Sequence, residues 1–393
     1  MKIKKVRKSH AVLVIENKIV IKFTILNVFY RIFILLFVTV DQFRQNLFLT
    51  TSDNFEEKAL WLFKYQVQFN TTYRNFVNYL GKNPDNITSI SDIPFLPIEL
   101  FKNHVLKTGV WTEETTFTSS GTTGNNTSRH YIRSLDFYLQ NTVEVFTPFY
   151  GSPKDYVVLA LLPSYLERSG SGLISMVNHF IELSDKADSG FYLYNHEELA
   201  NKLKQLSQKG DCHISPKSET RNDEKNNSFL TKIEQNQNKK VILFGVTFAL
   251  LDFVEKHHIH FPELIVFETG GMKGRKEEMT REEVHTLLKR GFGVPHVHSE
   301  YGMTELQSQA YSQQNGLFTT PPWMKVLIRE TDDPMTLSRL EKAGGINVID
   351  LANCDTCAFI ATEDLGKLYN NGSFEILGRI DHSDARGCNL MVV

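Results

Sequence analysis

Residues 118–124 read T-S-S-G-T-T-G, a run made only of hydroxyl-bearing residues and glycine. Glycines let the backbone turn tightly and approach a ligand closely, and serine and threonine hydroxyls donate to phosphate oxygens. Consecutive backbone N–H groups in such a turn form a concave site for an anion. The run therefore predicts a phosphate-binding loop, with a solvated Ser/Thr/Gly linker as the alternative. It is not the common nucleotide P-loop, because the lysine of that motif is absent.

Short apolar segments follow this run, and each is succeeded by a loop and then by a helical pattern. The predicted strands are 157–162, 241–244, 264–267 and 294–298, and the helices that follow them are 173–183, 246–256, 276–290 and 301–306. Such alternation predicts parallel βαβ units and therefore an α/β fold. Ligands bind in such sheets where the strands end and the loops begin.

Three other segments complete the organisation of the chain. Residues 53–66 carry apolar side chains at a helical period, and Asp53 with Glu56 has the pattern of a capping box. Prolines within 93–101 predict a packed loop without regular structure. Residues 209–240 are polar and poor in aromatics, which predicts a solvated insertion without chemistry.

The composition excludes some classes of function. The 393 residues are 41% hydrophobic and 22% charged, and the net charge of −2 gives no electrostatic reason to expect nucleic acid as a partner. Four cysteines do not form a disulfide framework, which favours a reducing, cytoplasmic location. Residues 1–45 are basic and then apolar, but the longest clean apolar stretch, 32–40, is shorter than the roughly 20 residues that span a bilayer. A non-essential leader, a buried strand and a membrane anchor all stay open for this segment.

A second cluster, S-E-Y-G-M-T-E-L, occupies residues 299–306. The ring of Tyr301 can stack on a base, the hydroxyl of Thr304 can donate to a phosphate, and the carboxylate of Glu305 suits Mg²⁺. Taken alone, this cluster is equally consistent with a helix start that carries a surface glutamate.

Taken together, the two clusters resemble the phosphate loop and the Y-G-x-T-E motif of the adenylate-forming superfamily, which includes acyl-CoA synthetases, luciferases and peptide-synthetase adenylation domains. Further matches follow in the same order along the chain. Gly270 and Gly271 resemble the adenine-binding loop, T-E-D-L-G at 362–366 resembles the ribose-binding T-G-D-x-G segment, and G-R-I-D at 378–381 resembles the hinge.

Within this superfamily, the stretches L-L-P-S-Y-L-E-R-S-G-S-G-L-I-S-M at 161–176 and D-A-R-G-C-N-L at 384–390 resemble the acyl-protein synthetases of the LuxE family. The resemblance implies the large N-terminal α/β domain of the adenylate-forming fold, without the usual C-terminal lid domain. The implied organisation is a leader at 1–45, an adenylate-forming domain at 46–377 and a truncated hinge segment with an acceptor cysteine at 378–393.

The resemblance also implies ATP and Mg²⁺ as cofactors and a fatty or related carboxylic acid as substrate. Thr304 and Arg379 would contact the reacting phosphate, and Glu305 would bind Mg²⁺. The remaining implied nucleotide-binding residues are Thr118, Ser119, Ser120, Gly121, Thr122, Thr123, Gly124, Gly270, Gly271, Tyr301, Gly302 and Asp364.

Cys388 is the expected acyl acceptor. It lies close to the C-terminus beside Arg386, which would lower the pKa of its thiol, and LuxE relatives acylate a cysteine near that end. The thioester would then pass to an acyl reductase or an acyltransferase. Two other functions stay open: a ligase to coenzyme A of the phenylacetate-CoA ligase type, and a non-catalytic nucleotide-binding subunit. A zinc site built from Cys354, Cys357, Cys388 and His382 is a weaker alternative.

The chain departs from the superfamily pattern at three places. Asn125 stands where a lysine often follows the phosphate loop, so Arg129, Arg133 or a metal alone would have to neutralise charge there. Glu363 replaces the glycine of T-G-D. No lysine follows Lys367, so the role of the superfamily's C-terminal catalytic lysine would be vacant or filled by Arg379 or Arg386.

Overall fold

The structure is a computed structural model that describes residues 39–119, 127–163, 170–208, 240–270 and 279–380. The chain divides into two compact units, residues 1–49 and residues 50–393. In the first unit, Thr39 caps helix α1 (Val40–Gln45) by accepting the amide of Gln42. Within the described segments, no helix is both long enough and apolar enough to cross a membrane. Most of the predicted leader and almost all of the 209–240 insertion lie outside the described residues.

The second unit contains helices and strands in mixed order. Its described helices are α2 (Ser52–Phe69), α3 (Thr71–Tyr79), α4 (Leu100–Asn103), α5 (Leu135–Tyr150), α6 (Gly172–Ser184), α7 (His196–Gln208), α8 (Thr247–Lys256) and α9 (Arg281–Phe292). Its described strands are β1 (Leu96–Pro97), β2 (Thr115–Thr118), β3 (Arg129–Ile132), β4 (Tyr156–Leu161), β5 (Gly190–Tyr192), β6 (Lys240–Val246), β7 (Ile265–Thr269), β8 (His298–Tyr301), β9 (Ala310–Ser312), β10 (Leu317–Phe318), β11 (Met324–Arg329), β12 (Ala343–Asp350), β13 (Phe359–Leu368) and β14 (Phe374–Arg379).

The first sheet has the order β5-β4-β6-β7-β8-β9. Its neighbours pair in parallel up to β8, and β9 closes the described edge antiparallel to β8. Strands β4 and β6 are buried almost throughout, as expected for parallel strands covered on both faces. The prediction of parallel βαβ units, and with it an α/β fold, is confirmed.

The last βα prediction in this sheet was wrong in detail. The strand lies at β8 rather than at 294–298, and the residues after it form a turn instead of a helix. The amides of Gln307 and Ser308 both donate at 2.9 Å to the carboxylate of Asp350, which is remote in sequence. Because these N–H groups are bound to a side chain, they are not available for the carbonyls of a helical turn.

The second sheet has the antiparallel order β10-β14-β13-β12-β11, and β1 joins it in parallel with β13. The predicted loop at 93–101 is therefore partly regular. Ile98 donates its N–H to Ala361 O at 3.0 Å, so the pairing does not require an N–H from Pro97. Helix α4 follows immediately.

Helix α2 confirms the predicted period, because Phe55, Ala59, Leu62 and Phe63 are all buried. Its capping was predicted at the wrong residues. The side chain of Asn54 accepts the amide of Thr51 at 2.9 Å, whereas Glu56 binds the loop at Ser89 and Ile90.

Candidate functional site

The hydroxyl run is carried by a hairpin of β2 and β3, whose base is fixed by hydrogen bonds. The Thr118 N–H donates to Gly170 O at 2.8 Å, and the Ser119 N–H donates to Ser128 O at 3.1 Å. In return, the Ser128 N–H donates to the Ser119 hydroxyl oxygen at 3.0 Å. Ser119 thus helps to close the hairpin while its own hydroxyl proton stays available for another acceptor. The predicted phosphate contacts Ser120, Gly121, Thr122, Thr123 and Gly124 lie outside the described residues.

Tyr301 is the last residue of β8, at the carboxyl edge of the first sheet. Its hydroxyl donates to Asp364 Oδ2 at 2.8 Å, and the rings of Phe318 and Phe374 approach it edge-on at 6.0 and 5.7 Å. Burial raises the pKa of Tyr301 well above its usual range, so the phenol stays protonated as the donor. The predicted base-stacking residue and the predicted ribose-binding residue are therefore in direct contact.

Glu305 turns its carboxyl group into the molecule, where only 6% of the residue is exposed. Burial raises the pKa of this carboxyl group, while a hydrogen bond from Ser128 and the charge of Lys102 act in the opposite direction. Ser128 belongs to the base of the hairpin, so the hairpin and the predicted metal-binding residue line the same cavity.

His130 makes a second link between the hairpin and the Thr304–Glu305 turn. Its Nδ1 lies 2.7 Å from Thr304 O, and its Nε2 lies 3.0 Å from Thr356 Oγ1. Complete burial lowers the pKa of His130 to about 4, so the ring is neutral at pH 7. A carbonyl can only accept, which assigns the proton to Nδ1 and makes Nε2 the acceptor of the Thr356 hydroxyl. Sequence reasoning missed this residue, although on β3 it alternates with the exposed Arg129 and therefore faces inward.

Asp364 and Arg379 are register partners on β13 and β14. Arg379 Nη2 lies 2.6 Å from Glu363 Oε2, and its Nε lies 3.7 Å from Asp364 Oδ1. The arginine side chain is 73% exposed, so this is a surface pair of small energy. Glu363, which replaces the glycine of the T-G-D motif, is thus the ion-pair partner of the predicted catalytic arginine.

One cavity of about 1440 Å³ brings these parts together. The predicted site residues that line it are Thr118, Ser119, Gly270, Tyr301, Gly302, Thr304, Glu305, Asp364 and Arg379. Gly271 and Cys388 lie outside the described residues. Neither of the two arginines expected to replace the phosphate-loop lysine lines the cavity: Arg129 is exposed, and Arg133 lies 3.2 Å from Asp355 Oδ1. Lys102 lines it, and sequence reasoning did not single this residue out.

A partly apolar wall adjoins the hairpin. It is formed by Phe117, Tyr138, Leu173 and Met176, and helix α6 supplies the last two. Glu300 also lines the cavity and accepts the Thr269 hydroxyl at 2.6 Å. Burial raises the pKa of Glu300 to about 7. The cavity thus combines this partly apolar wall with the titratable carboxyl group of Glu300.

Metal binding by protein groups alone finds no support in the described segments, where no cluster of three or more histidine, cysteine or acidic side chains occurs. Cys354 and Cys357 are both buried, and burial raises the pKa of Cys357 to about 12. Glu305 fits a Mg²⁺ ion shared with phosphates, because Mg²⁺ usually takes one or two carboxylates together with substrate oxygens and water. A cation there would also offset the cost of burying the carboxylate.

Neither a family model nor a curated protein matches the sequence. Solved structures do match the fold. A 2-hydroxyisobutyryl-CoA ligase in an open conformation with 2-HIB-AMP and CoA aligns with a TM-score of 0.59 and 12% identity, covering 83% of this chain and 74% of that ligase. Its postadenylation state with 2-HIB-AMP aligns with a TM-score of 0.60 and 12% identity, covering 84% and 70%.

ATP-bound MatB from Rhodopseudomonas palustris aligns with a TM-score of 0.45 and 15% identity, covering 67% of this chain and 47% of MatB. The chain therefore spans about half the length of MatB. At these identities the likeness concerns the fold. The chain has the α/β fold of the large domain of adenylate-forming ligases, and the fold predicted from sequence is confirmed.

Proposed function

We propose that the protein activates a fatty or related carboxylic acid with ATP, forming an acyl-adenylate and releasing pyrophosphate, and then transfers the acyl group to Cys388 as a thioester. One observation carries the first half of this proposal. The base of the hydroxyl run, the Tyr301–Glu305 turn and the Asp364–Arg379 pair are remote from one another in the sequence and line a single cavity.

The chain's residues suit adenylation without a general base. A carboxylate is already ionised at pH 7, so it can attack the α-phosphate directly, and the enzyme has to position the reactants and neutralise charge. The hydroxyls of Thr118 and Ser119 would contact the triphosphate, and that of Thr304 would contact the α-phosphate. Mg²⁺, when bound at Glu305, would supply charge neutralisation between the phosphates.

The nucleoside would lie against Gly270 and Tyr301, with its ribose at Asp364. One carboxylate oxygen of Asp364 accepts from Tyr301, and Oδ1, which Arg379 Nε approaches to 3.7 Å, could also accept a ribose hydroxyl. The acyl chain would lie along the wall formed by Phe117, Leu173 and Met176.

The acceptor in the second half-reaction is the main alternative. The second candidate acceptor is coenzyme A. It is supported by the ligase of similar fold that was solved with 2-HIB-AMP and CoA. The proposal of Cys388 as acceptor is supported by the resemblance to acyl-protein synthetases. An acyl reductase or acyltransferase would then receive the acyl group.

A labelling experiment tests both halves. The protein is incubated with ATP, Mg²⁺ and radiolabelled acids of different chain lengths, and pyrophosphate exchange and protein-bound label are measured. We expect acid-dependent exchange, and label that hydroxylamine releases. Cys388→Ser should abolish the label and leave exchange intact, whereas Glu305→Ala should abolish exchange. Undiminished transfer to coenzyme A by Cys388→Ser would favour the second candidate, and the absence of exchange with every acid would refute adenylation.

A further inference from the structure

Lys102 brings a cationic side chain to the cavity from helix α4. It lines the cavity together with Ser119, Ser128 and Glu305. Across the described segments, no side chain or carbonyl forms a hydrogen bond or ion pair with this ammonium. Its charge nevertheless acts on Glu305, where it opposes the rise in pKa caused by burial. The lysine is thus close enough to influence the predicted metal ligand without being paired with it.

The fold holds the backbone of Lys102 firmly. Ile98 is bound to β13 through its N–H, and helix α4 begins two residues later. Phe101 is fully buried, with its ring edge-on to that of His130 at a centroid distance of 5.8 Å. This contact fixes the helix against the hairpin, so the backbone of the neighbouring Lys102 has a defined position. Its flexible four-carbon stem lets the ammonium follow a ligand.

The other cations that line the described part of the cavity are differently placed. Arg281 lies 3.9 Å from Glu268 and stacks over Phe318 at 5.1 Å, and Arg379 is paired with Glu363. Lys289 lies on helix α9, which carries Arg281 at its first position. Lys102 and Arg379 both oppose the rise in the pKa of Glu305, but Arg379 is paired with Glu363, whereas Lys102 lies on the helix packed against the hairpin.

The need for a cation is set by the sequence of the hydroxyl run. A triphosphate brings several negative charges, and Asn125 stands where a lysine would follow the loop. Hydroxyl groups can donate hydrogen bonds but carry no charge, and Glu305 adds a further negative one. An ammonium group gives hydrogen bonds to phosphate that are stronger than those of neutral donors.

We propose that Lys102 is a phosphate-binding residue that supplies, from helix α4, the positive charge missing from the hydroxyl run. The proposal rests on the proposed function. In the adenylation step, a carboxylate oxygen forms a bond to the α-phosphorus while the bond from that phosphorus to the bridging oxygen breaks. The bond's electron pair leaves with pyrophosphate. Lys102 takes no part in these bond changes and donates hydrogen bonds to the triphosphate oxygens throughout.

The test compares Lys102→Met with Lys289→Met in the full chain. Methionine keeps most of the apolar stem and removes the charge, and Lys289 is the matched control because it lines the same cavity. Binding of MgATP is measured by calorimetry without any acid, and acid-dependent pyrophosphate exchange is measured separately. Urea denaturation checks that both variants are folded.

We expect Lys102→Met to weaken MgATP binding about 10- to 100-fold, the range for a charge-assisted hydrogen bond, and Lys289→Met to change it less than about threefold. Lys102→Arg should recover part of the loss. Equal MgATP affinity for the wild type and Lys102→Met would overturn the proposal. A wild type that binds MgATP but exchanges pyrophosphate with no acid would refute adenylation alone, because the binding comparison still decides the role of Lys102. A wild type that does not bind MgATP would overturn both.

Discussion

Replacing Gly170 by alanine should disturb the hairpin that carries the hydroxyl run. Gly170 has a φ of +83°, and a Cβ there would lie 2.6 Å from the backbone oxygen of Thr116 on β2. Gly109 provides a matched control, since its φ is +85° and a Cβ there would meet nothing within 4 Å. Both substitutions impose the same unfavourable backbone region, but only Gly170→Ala adds a collision with another backbone.

The size of the effect follows from this comparison. Placing a non-glycine residue in the left-handed region costs about 1–2 kcal/mol. Forcing an extra methyl group into a filled space costs a further ~1–3 kcal/mol. The gain from a less flexible unfolded chain is common to both variants and cancels. We therefore expect Gly109→Ala to lower the free energy of unfolding by about 1–2 kcal/mol, and Gly170→Ala to lower it by about 2–5 kcal/mol.

Urea denaturation gives both free energies, and the midpoints can be compared if the two slopes agree. The affinity for MgATP is the second measurement. Gly170→Ala should weaken it, because the same residue accepts the Thr118 N–H at the base of the hairpin, whereas Gly109→Ala should not. If the two free energies differ by less than about 0.5 kcal/mol, the usual range for surface substitutions, the reasoning about the Thr116 contact is wrong.

Three further predictions concern the cavity itself. His130→Asn keeps a donor near the position of Nδ1 for Thr304 O, whereas His130→Gln loses it. We therefore expect pyrophosphate exchange to be about tenfold slower in the glutamine variant than in the asparagine variant, at similar stability. Equal rates would show that the hydrogen bond from His130 does not position the Thr304–Glu305 turn. Tyr301→Phe removes the hydrogen bond to Asp364 and should weaken MgATP binding about fivefold, while the free energy of unfolding, measured in urea, changes by no more than about 1.5 kcal/mol. The pKa of Glu300 is raised to about 7 from 4.5, so the folded protein retains a proton that the unfolded chain releases, and stability should fall as pH rises between these values. Glu300→Gln should remove this loss, up to about 3 kcal/mol, when urea denaturation at pH 4.5 is compared with pH 8; an unchanged pH dependence would refute it.

Local patterns in the sequence predicted those elements whose cause is local. The apolar period of α6 and the buried strand β4 follow from side-chain spacing, and both lie close to their predicted positions. The same holds for the two motif segments, each of which carries its own turn chemistry. Their shared cavity was expected from the family resemblance, because spacing alone cannot bring together segments so far apart in the chain.

Prediction from the sequence failed where a residue that is remote along the chain determines the local conformation. The residues after Glu305 form a turn because Asp350 binds the amides of Gln307 and Ser308, and no local signal identifies that carboxylate. Strand β1 exists because β13 offers it a partner. His130 and Lys102 were not predicted as site residues for the same reason. Each acts on segments that are remote along the chain.

The closed base of the β2–β3 hairpin has a consequence for engineering. Since Ser119 and Ser128 bind each other through two hydrogen bonds, the ends of the intervening stretch are held together whatever its composition. Longer or shorter replacements between these two serines should then alter ligand preference while the scaffold keeps its architecture, because lengthening a connection between fixed ends costs little entropy. The segment is thus a suitable place to insert sequences of different length and hydroxyl content and to measure their effect on ligand binding.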